Sequence, residues 1–169
     1  DSELSKNVKK CLAQIRAEFE IVPENDRVLG SDFSGFIFSF SDFGPHNCTK
    51  TEDSGLIFFD FEYSGFDHPI KIWLDFLWHP GFQRPAFVRE KWSSEFRRMF
   101  HDDWIERHFD LCYKMIGLKF VFIILNPLRR SGKVPITVSS ERDGVIRERL
   151  ERASSMLNEI FNYSGTVDA

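Results

Sequence analysis

The sequence is poor in the features that mark several large classes of protein. Only three of its 169 residues are cysteine, they are widely spaced, and no two form a Cys-x-x-Cys pair. This argues against a disulfide framework or a zinc knuckle, and we expect a reducing cytoplasm as the compartment. The longest purely apolar run, residues 120–125, is far shorter than the ~20 residues needed to span a bilayer. We therefore expect no membrane partner.

An excess of basic charge is also missing. Lys and Arg number 22 against 26 Asp and Glu, which gives a formal net charge of -4. Proteins that hold nucleic acid usually present a broad basic surface, so nucleic acid is not an expected partner. The chain is 42% hydrophobic and long enough to bury a core, and we expect a single domain over residues 1–169.

Apolar residues recur at three- and four-residue steps in several segments, which is the spacing of one buried helical stripe. The pattern predicts helices over residues 5–20, 70–78, 86–100, 103–115, 118–126 and 144–163. Pro69 suits the first turn of the second helix, because its missing N–H has no partner there. The tripeptide at 79–81 ends that helix, and Pro127 ends the fifth. A loop is predicted at 21–26 and a basic, polar linker at 129–140.

Two short apolar runs, residues 36–40 and 56–61, are separated by a connection at 49–55 that is rich in turn-forming residues. We predict that the two runs pair as a small β-hairpin-like unit. The predicted fold class is therefore α+β and mostly helical, with a small β element that carries polar loops.

These loops hold side chains suited to phosphoryl transfer. Asp42 stands five positions before Asn47, with Gly44 and Pro45 between them, and Asp60 follows the second apolar run. Phosphoryl transfer needs a carboxylate that orients the attacking hydroxyl and takes its proton, plus oxygens that hold Mg²⁺ against a triphosphate. We predict Asp42 as the catalytic base and Asn47 and Asp60 as the metal ligands.

The same residues resemble the aminoglycoside phosphotransferase and choline kinase superfamily. The similarity rests on Asp42-x-x-x-x-Asn47, on the spacing to Asp60-Phe61-Glu62-Tyr63, and on Gly65 and Asp67-His68-Pro69 behind it. It extends through Lys71, Asp75 and the tripeptide at 79–81, as in a bacterial subgroup of phosphotransferases, and covers most of residues 26–126.

The resemblance implies a protein-kinase-like fold in which this chain is the larger, helical C-terminal lobe. It also implies ATP or another nucleoside triphosphate as donor, Mg²⁺, a small-molecule hydroxyl as acceptor, and Asp75 as a buried brace of the catalytic loop. Phe40 departs from the family, which usually has histidine two residues before the catalytic aspartate. Only 41 residues precede Asp42, too few for a nucleotide-clamping lobe. We therefore expect a fragment that binds ATP poorly alone and is prone to self-association through exposed apolar surface.

Asp42-Phe43-Gly44 also allows a second alignment with kinase motifs, or register, because it matches the magnesium-binding tripeptide of protein kinases. In that register Asp42 would bind the metal, and an aspartate upstream should stand five residues before an asparagine. Neither Asp26 nor Asp32 does so, and no Ala-Pro-Glu segment follows. We therefore favour the first register.

Other side chains near the motif have weaker assignments. His46 suits a hydrogen-bonding turn residue better than an acid/base or metal ligand, because no second ligand stands at a suitable spacing. Glu62 would face the same side as Asp60 if the strand continued, and would then either support the metal site or form a structural ion pair. For most of the aromatic residues we favour core packing over recognition of a cationic substrate. Trp73 and Trp78 lie on the predicted helix after the metal-binding strand, where a pocket could lie, and the sequence does not orient them.

A function of another class fits the same residues: a non-catalytic kinase-like lobe that acts as a binding or scaffold module. The short stretch before Asp42 and the presence of Phe40 motivate it. In that case the 42–47 segment is an ordinary turn and Asp60 a solvated residue. The joint spacing of the three polar residues favours the enzyme, and the sequence leaves the acceptor, the nucleotide and the oligomeric state open.

Overall fold

The computed structural model describes residues 3–24, 35–42, 44–81, 84–129 and 139–163. Most of the predicted linker, much of the stretch before residue 35, and both Asp26 and Asp32 lie outside these residues. Within them the fold is α+β and mostly helical, as predicted. The elements in chain order are α1 (Glu3–Glu20), β1 (Ile37–Ser39), β2 (Cys48–Lys50), β3 (Leu56–Phe58), β4 (Gly65–Asp67), α2 (Pro69–Trp78), α3 (Ala86–Met99), α4 (Asp103–Arg129) and α5 (Ser139–Asn162).

The predicted pairing of the two apolar runs is wrong. Strand β1 pairs antiparallel with β4, with Ile37 opposite Asp67, and β2 pairs antiparallel with β3, with Cys48 opposite Phe58. Residues 49–55 were predicted as a connection, but the connecting turn is shorter, and the Thr51 N–H donates to Gly55 O at 2.9 Å. The missed strands are three residues long and partly polar, so they have no alternating apolar pattern to reveal them.

The two helices predicted at 103–115 and 118–126 form one helix, α4, which continues past Pro127 to Arg129. Buried residues recur along it at three- and four-residue steps and include Gly117, so the buried stripe does not stop at the proposed break. A glycine costs a helix about 1 kcal/mol relative to alanine and does not end it. Pro127 lies in the last turn, where its missing N–H removes a single hydrogen bond.

Helix α5 begins at Ser139, ahead of the predicted start at Gly144. Serine followed by acidic residues is a signal for a helix start, and the sequence Ser139-Ser140-Glu141 carries it. The prediction gave that signal too little weight against the glycine. The helices at 5–20, 70–78 and 86–100 are confirmed to within a turn at each end.

The chain divides into two compact units, one formed by residues 1–22 and 113–169 and the other by residues 23–112. Helix α4 begins in the second unit and ends in the first. The expectation of a single domain stays a prediction.

Aromatic side chains form the core of the second unit. Trp73 and Trp78 of α2, which the sequence left unoriented, are each 1% exposed, so both pack in the core. The Trp73 ring lies 4.9 Å from Phe96 of α3 and 4.6 Å from Phe109 of α4, and its indole N–H donates to Ser93 Oγ at 3.0 Å. This core packs α2 against α3 and α4. Helix α2 is therefore held in place, and its Lys71 contacts the loop that carries Asp42.

The first unit joins α1, the later part of α4, and α5. Cys11 and Ile15 of α1 and Leu157 and Ile160 of α5 are buried. Lys114 of α4 donates to the Glu18 carboxylate of α1 at 2.6 Å. None of the residues predicted as catalytic or metal-binding belongs to this unit.

The three cysteines are free thiols, and burial raises the pKa of Cys112 to about 11. No helix within the described ranges is long and apolar enough to cross a bilayer.

His68 connects β4 to α2 as the N-cap of that helix. Its Nδ1 accepts the Ile70 N–H at 3.3 Å, and its ring lies 6.0 Å from Phe36 and 5.0 Å from Trp104. Burial lowers the pKa of His68, and the charge of Asp102 opposes this only in part. The folded state therefore favours the neutral ring with Nδ1 unprotonated.

This predicts a pH-dependent stability of the second unit. Because the folded pKa of His68 is depressed, its contribution is complete above the unfolded pKa of about 6.5 and is lost as the pH falls through the folded value. We expect His68→Asn, which keeps a capping acceptor but does not titrate, to reduce the loss of unfolding free energy between pH 7.5 and pH 5. Urea unfolding followed by tryptophan fluorescence measures this unit alone, since all four tryptophans lie in residues 23–112.

His101→Asn is the matched control, because His101 is exposed. It should leave the pH dependence as in the wild type. Equal slopes for the wild type and His68→Asn would contradict the assignment of this dependence to His68.

Candidate functional site

Asp42 lies three residues beyond β1, in a tight turn. The Ser41 N–H donates to Ser39 Oγ at 2.9 Å, and the Asp42 N–H donates to Phe40 O at 2.7 Å. Ser41 has φ 60°, a left-handed conformation that costs a non-glycine residue roughly 1–2 kcal/mol. The strand end and this strained residue together fix where the Asp42 side chain leaves the backbone.

Asn47 ends a single 3₁₀ turn, Pro45–Asn47, and is buried. Its Nδ2 donates to the backbone carbonyl of Asp42 at 2.9 Å, which closes the loop between the two predicted site residues. The amide nitrogen is thereby engaged, and the amide oxygen Oδ1 is the atom of this side chain with the chemistry of a metal ligand.

Asp60 lies two residues beyond β3, also with a left-handed backbone, φ 65°. Aspartate adopts this conformation more readily than most residues. The N–H of the preceding residue, Phe59, donates to the Asn47 carbonyl at 3.0 Å. A hydrogen bond therefore links the segment of Asp60 directly to the loop that carries Asp42 and Asn47.

Glu62 does not continue the strand, because β3 ends at Phe58 and Glu62 lies in the next turn. The premise for its facing the same side as Asp60 is therefore not met. Its carboxylate acts instead on the adjacent phenol: the hydrogen bond and charge of Glu62 raise the pKa of Tyr63, with smaller contributions from Asp60 and Asp42. Three acidic groups thus act on one exposed ring.

Lys71 of α2 anchors the loop of Asp42. Its ammonium donates to Ser41 Oγ at 2.8 Å and pairs with Asp67 at 3.0 Å and Asp75 at 3.2 Å. Burial works against the charge, but the attraction of Asp75 and Asp67 outweighs it and raises the pKa of Lys71. Asp75 is buried, and in this arrangement it acts on the loop through Lys71 and Ser41.

Two histidines contact the carboxylate of Asp42. His46 Nε2 lies 3.1 Å and His79 Nε2 lies 3.3 Å from the same oxygen, Oδ1. The two imidazole rings are stacked, with centroids 4.3 Å apart and planes 10° from parallel. Burial is the largest influence that lowers the pKa of His79, His46 and Arg84 add to it, and Asp42 and Asp75 oppose it. Sequence reasoning did not assign His79 to the site, because His79 stands 37 positions after Asp42 (79 − 42), far outside any local ligand spacing. Only the fold brings the end of α2 to this loop.

The nitrogen and oxygen atoms of Asp42, His46 and His79 lie within 4.8 Å of one another, a combination of ligands that binds zinc in many proteins. The stacking argues against such a site in this arrangement. An imidazole binds a metal in the plane of its ring, whereas an ion shared by two parallel rings in van der Waals contact would lie about 2 Å out of each plane, as far as a zinc–nitrogen bond is long. We therefore interpret the cluster as a hydrogen-bonded carboxylate.

Comparison with known proteins adds no relative: no family model, no curated protein and no solved structure matches this chain. The assignment of a function therefore rests on the motif and on the contacts described above.

The Lys71 contacts predict a measurable coupling. Lys71→Met leaves Asp67 and Asp75 without the shared cation and should lower the unfolding free energy by about 1–3 kcal/mol. In a double-mutant cycle with Asp75→Asn, we expect a coupling energy of about 0.5–3 kcal/mol, measured by urea unfolding at pH 7.5.

The matched control is Arg98→Met in the same unit. Arg98 and Glu95 pair at 2.8 Å but are 72% and 49% exposed, so this change should cost no more than about 0.5 kcal/mol. A Lys71→Met variant as mild as Arg98→Met would show that the buried network does not hold the loop.

Proposed function

We propose that the chain is a lobe of a small-molecule phosphotransferase with a protein-kinase-like fold. It transfers the γ-phosphate of ATP, or of another nucleoside triphosphate, to a hydroxyl group of a small acceptor, with Mg²⁺ as cofactor and the cytoplasm as its compartment. The observation that carries the proposal is the loop closure: Asn47 Nδ2 bonds to Asp42 O, and Phe59 N–H bonds to Asn47 O. These two bonds link the segments that carry Asp42, Asn47 and Asp60.

The donor atoms fit the cofactor. With its nitrogen bound to Asp42, Asn47 has an amide oxygen to offer, and Asp60 adds a carboxylate, which makes the oxygen set that Mg²⁺ prefers. When bound, the ion would supply charge neutralisation at the phosphate oxygens. Asn47 and Asp60 would hold it.

The residues of the chain would act mainly by alignment and proton transfer. Asp42 would orient the acceptor hydroxyl and take its proton, while the hydroxyl oxygen forms a bond to the γ-phosphorus. The bond from that phosphorus to the bridging oxygen breaks, and its electron pair leaves with the nucleoside diphosphate. General-base catalysis of this kind contributes about 10²–10⁴-fold.

A binding or scaffold module is the second candidate, and an exposed aromatic cluster favours it. Phe38, Phe40, Phe61 and Phe66 are 40% to 71% exposed, and their ring centroids lie 4.8 to 6.3 Å apart in successive pairs. Contiguous exposed aromatic rings are typical of protein-binding surfaces. The two candidates differ in whether Asn47 and Asp60 bind a nucleotide-bound cation.

Paramagnetic NMR tests this difference even if affinity is weak. Mn²⁺ with ATP, added to ¹⁵N-labelled chain, should broaden the amide signals of Asn47 and Asp60 first, since Mn²⁺ takes oxygen ligands as Mg²⁺ does. Asp60→Ala should abolish the broadening, and Asp42→Asn should retain it while slowing nucleotide turnover by about 10²–10⁴-fold.

Asp110→Asn is the control, because Asp110 is an exposed aspartate of α4 in the same unit. It should change neither the broadening nor the turnover. Unbroadened spectra in the wild type would favour the scaffold module over the enzyme.

A further inference from the structure

The carboxylate of Asp42 is held at one of its two oxygens. In the part of the chain that the structure describes, two ring nitrogens approach Oδ1 of this group. His46 Nε2 is hydrogen-bonded to it at 3.1 Å, and His79 Nε2 lies in an ion-pair contact at 3.3 Å. An ionised carboxylate only accepts hydrogen bonds, so the bond from His46 requires a proton on its Nε2. Two rings against one oxygen restrict the rotation of the planar group, and the direction of Oδ2 is restricted with it.

The tautomer of His79 is determined independently. Its Nδ1 accepts the backbone N–H of Gly81 at 3.0 Å, so the proton of the neutral ring resides on Nε2, the atom that faces Asp42. The ring is also confined by packing. A Cβ atom at Gly81 would lie 2.7 Å from His79 Cε1, and the His46 ring stacks on it at 4.3 Å.

We propose that His46 and His79 are positioning residues that clamp Oδ1 of Asp42 and present Oδ2 as the atom that accepts the proton of the acceptor hydroxyl. This inference rests on the proposed function for its chemistry. The proton moves from the hydroxyl to Oδ2, the hydroxyl oxygen bonds to the γ-phosphorus, and the nucleoside diphosphate leaves with the electron pair of the broken bond. The two histidines keep their protons throughout.

The clamp has a clear physical purpose in such a reaction. A misplacement of about 1 Å at a reacting group can cost about 100-fold in rate. Asp42 stands in a loop, and a side chain there is positioned by its contacts more than by its backbone. Stacking of the two rings makes each histidine a support for the other, so the loss of either should loosen both.

The first test does not depend on catalysis. Long-range ¹H–¹⁵N spectra of the labelled chain at pH 7.5 should show Nε2 protonated in both His46 and His79, and Nδ1 unprotonated in His79. Asp42→Ala should shift the Nε2 signals of these two rings and leave that of exposed His101 unchanged. An unprotonated Nε2 on either ring, or signals that ignore Asp42→Ala, would overturn the clamp.

The second test separates positioning from general loss of structure. His79→Phe keeps a stacked ring but removes the donor, and should lower kcat about 10- to 100-fold with the KM for nucleotide within about twofold. His79→Gln returns a donor nitrogen and should recover a substantial part of kcat. Gly81→Ala retains His79 but displaces its ring and should resemble His79→Phe, whereas Gly65→Ala adds a Cβ in open space and serves as the control. An unchanged kcat in His79→Phe would refute a positioning role.

Together, the two tests distinguish a failure of the clamp from a failure of the proposed function. If the tautomers and the response to Asp42→Ala are as expected but nucleotide is neither bound nor turned over, the clamp stands and the proposed function fails. If turnover is present and Nε2 of His79 lacks its proton, the function stands and the clamp fails.

Discussion

The candidate site depends on the contacts that the ammonium group of Lys71 makes. This group is the point where β4, α2 and the loop before Asp42 meet, through Asp67, Asp75 and Ser41. Three-residue strands such as β1 and β4 have little stability of their own. A partly buried charge with three oxygen partners supplies a directional link between them and the aromatic core beneath α2. The left-handed Ser41 can persist because its side chain is anchored in this way.

From Lys71, short covalent and hydrogen-bonded links lead to the residues of the candidate site. Ser41 precedes Asp42, Asn47 bonds to the carbonyl of Asp42, and Phe59 bonds to Asn47. Each step crosses from one loop to the next through a backbone atom, so these links constrain the main chain more than the side chains. The side chain of Asp42 needs separate support, and it receives it from two rings that reach it from different elements.

The sequence predicted the helical body well, because buried stripes at three- and four-residue steps repeat over many residues. It failed where the signal is short or non-local. Strand β2 has three partly polar residues, and its pairing with β3 depends on a turn whose Ser54 adopts φ 68°. In the candidate site, Asp42, Asn47 and Asp60 were predicted because phosphoryl transfer requires fixed residue types at fixed spacing, and their roles stay a prediction. His79 was not assigned to it, because its contact with Asp42 arises from the length and direction of α2, which no local pattern encodes.

The exposure of the site sets a condition on the proposed chemistry. The side chain of Asp42 is 36% exposed, and the aromatic cluster beside it turns its rings to solvent. Phosphoryl transfer to an acceptor other than water requires that water be displaced from the base, and a carboxylate this open would also serve a water molecule. Oδ1, covered by two imidazoles, is protected from that competition, whereas Oδ2 is protected only when something covers it. A phosphotransferase built on this unit must therefore close over Oδ2 with its substrates or with further protein, and the apolar rings of Phe40 and Phe61 next to the site provide a surface on which such a cover would gain free energy by excluding water.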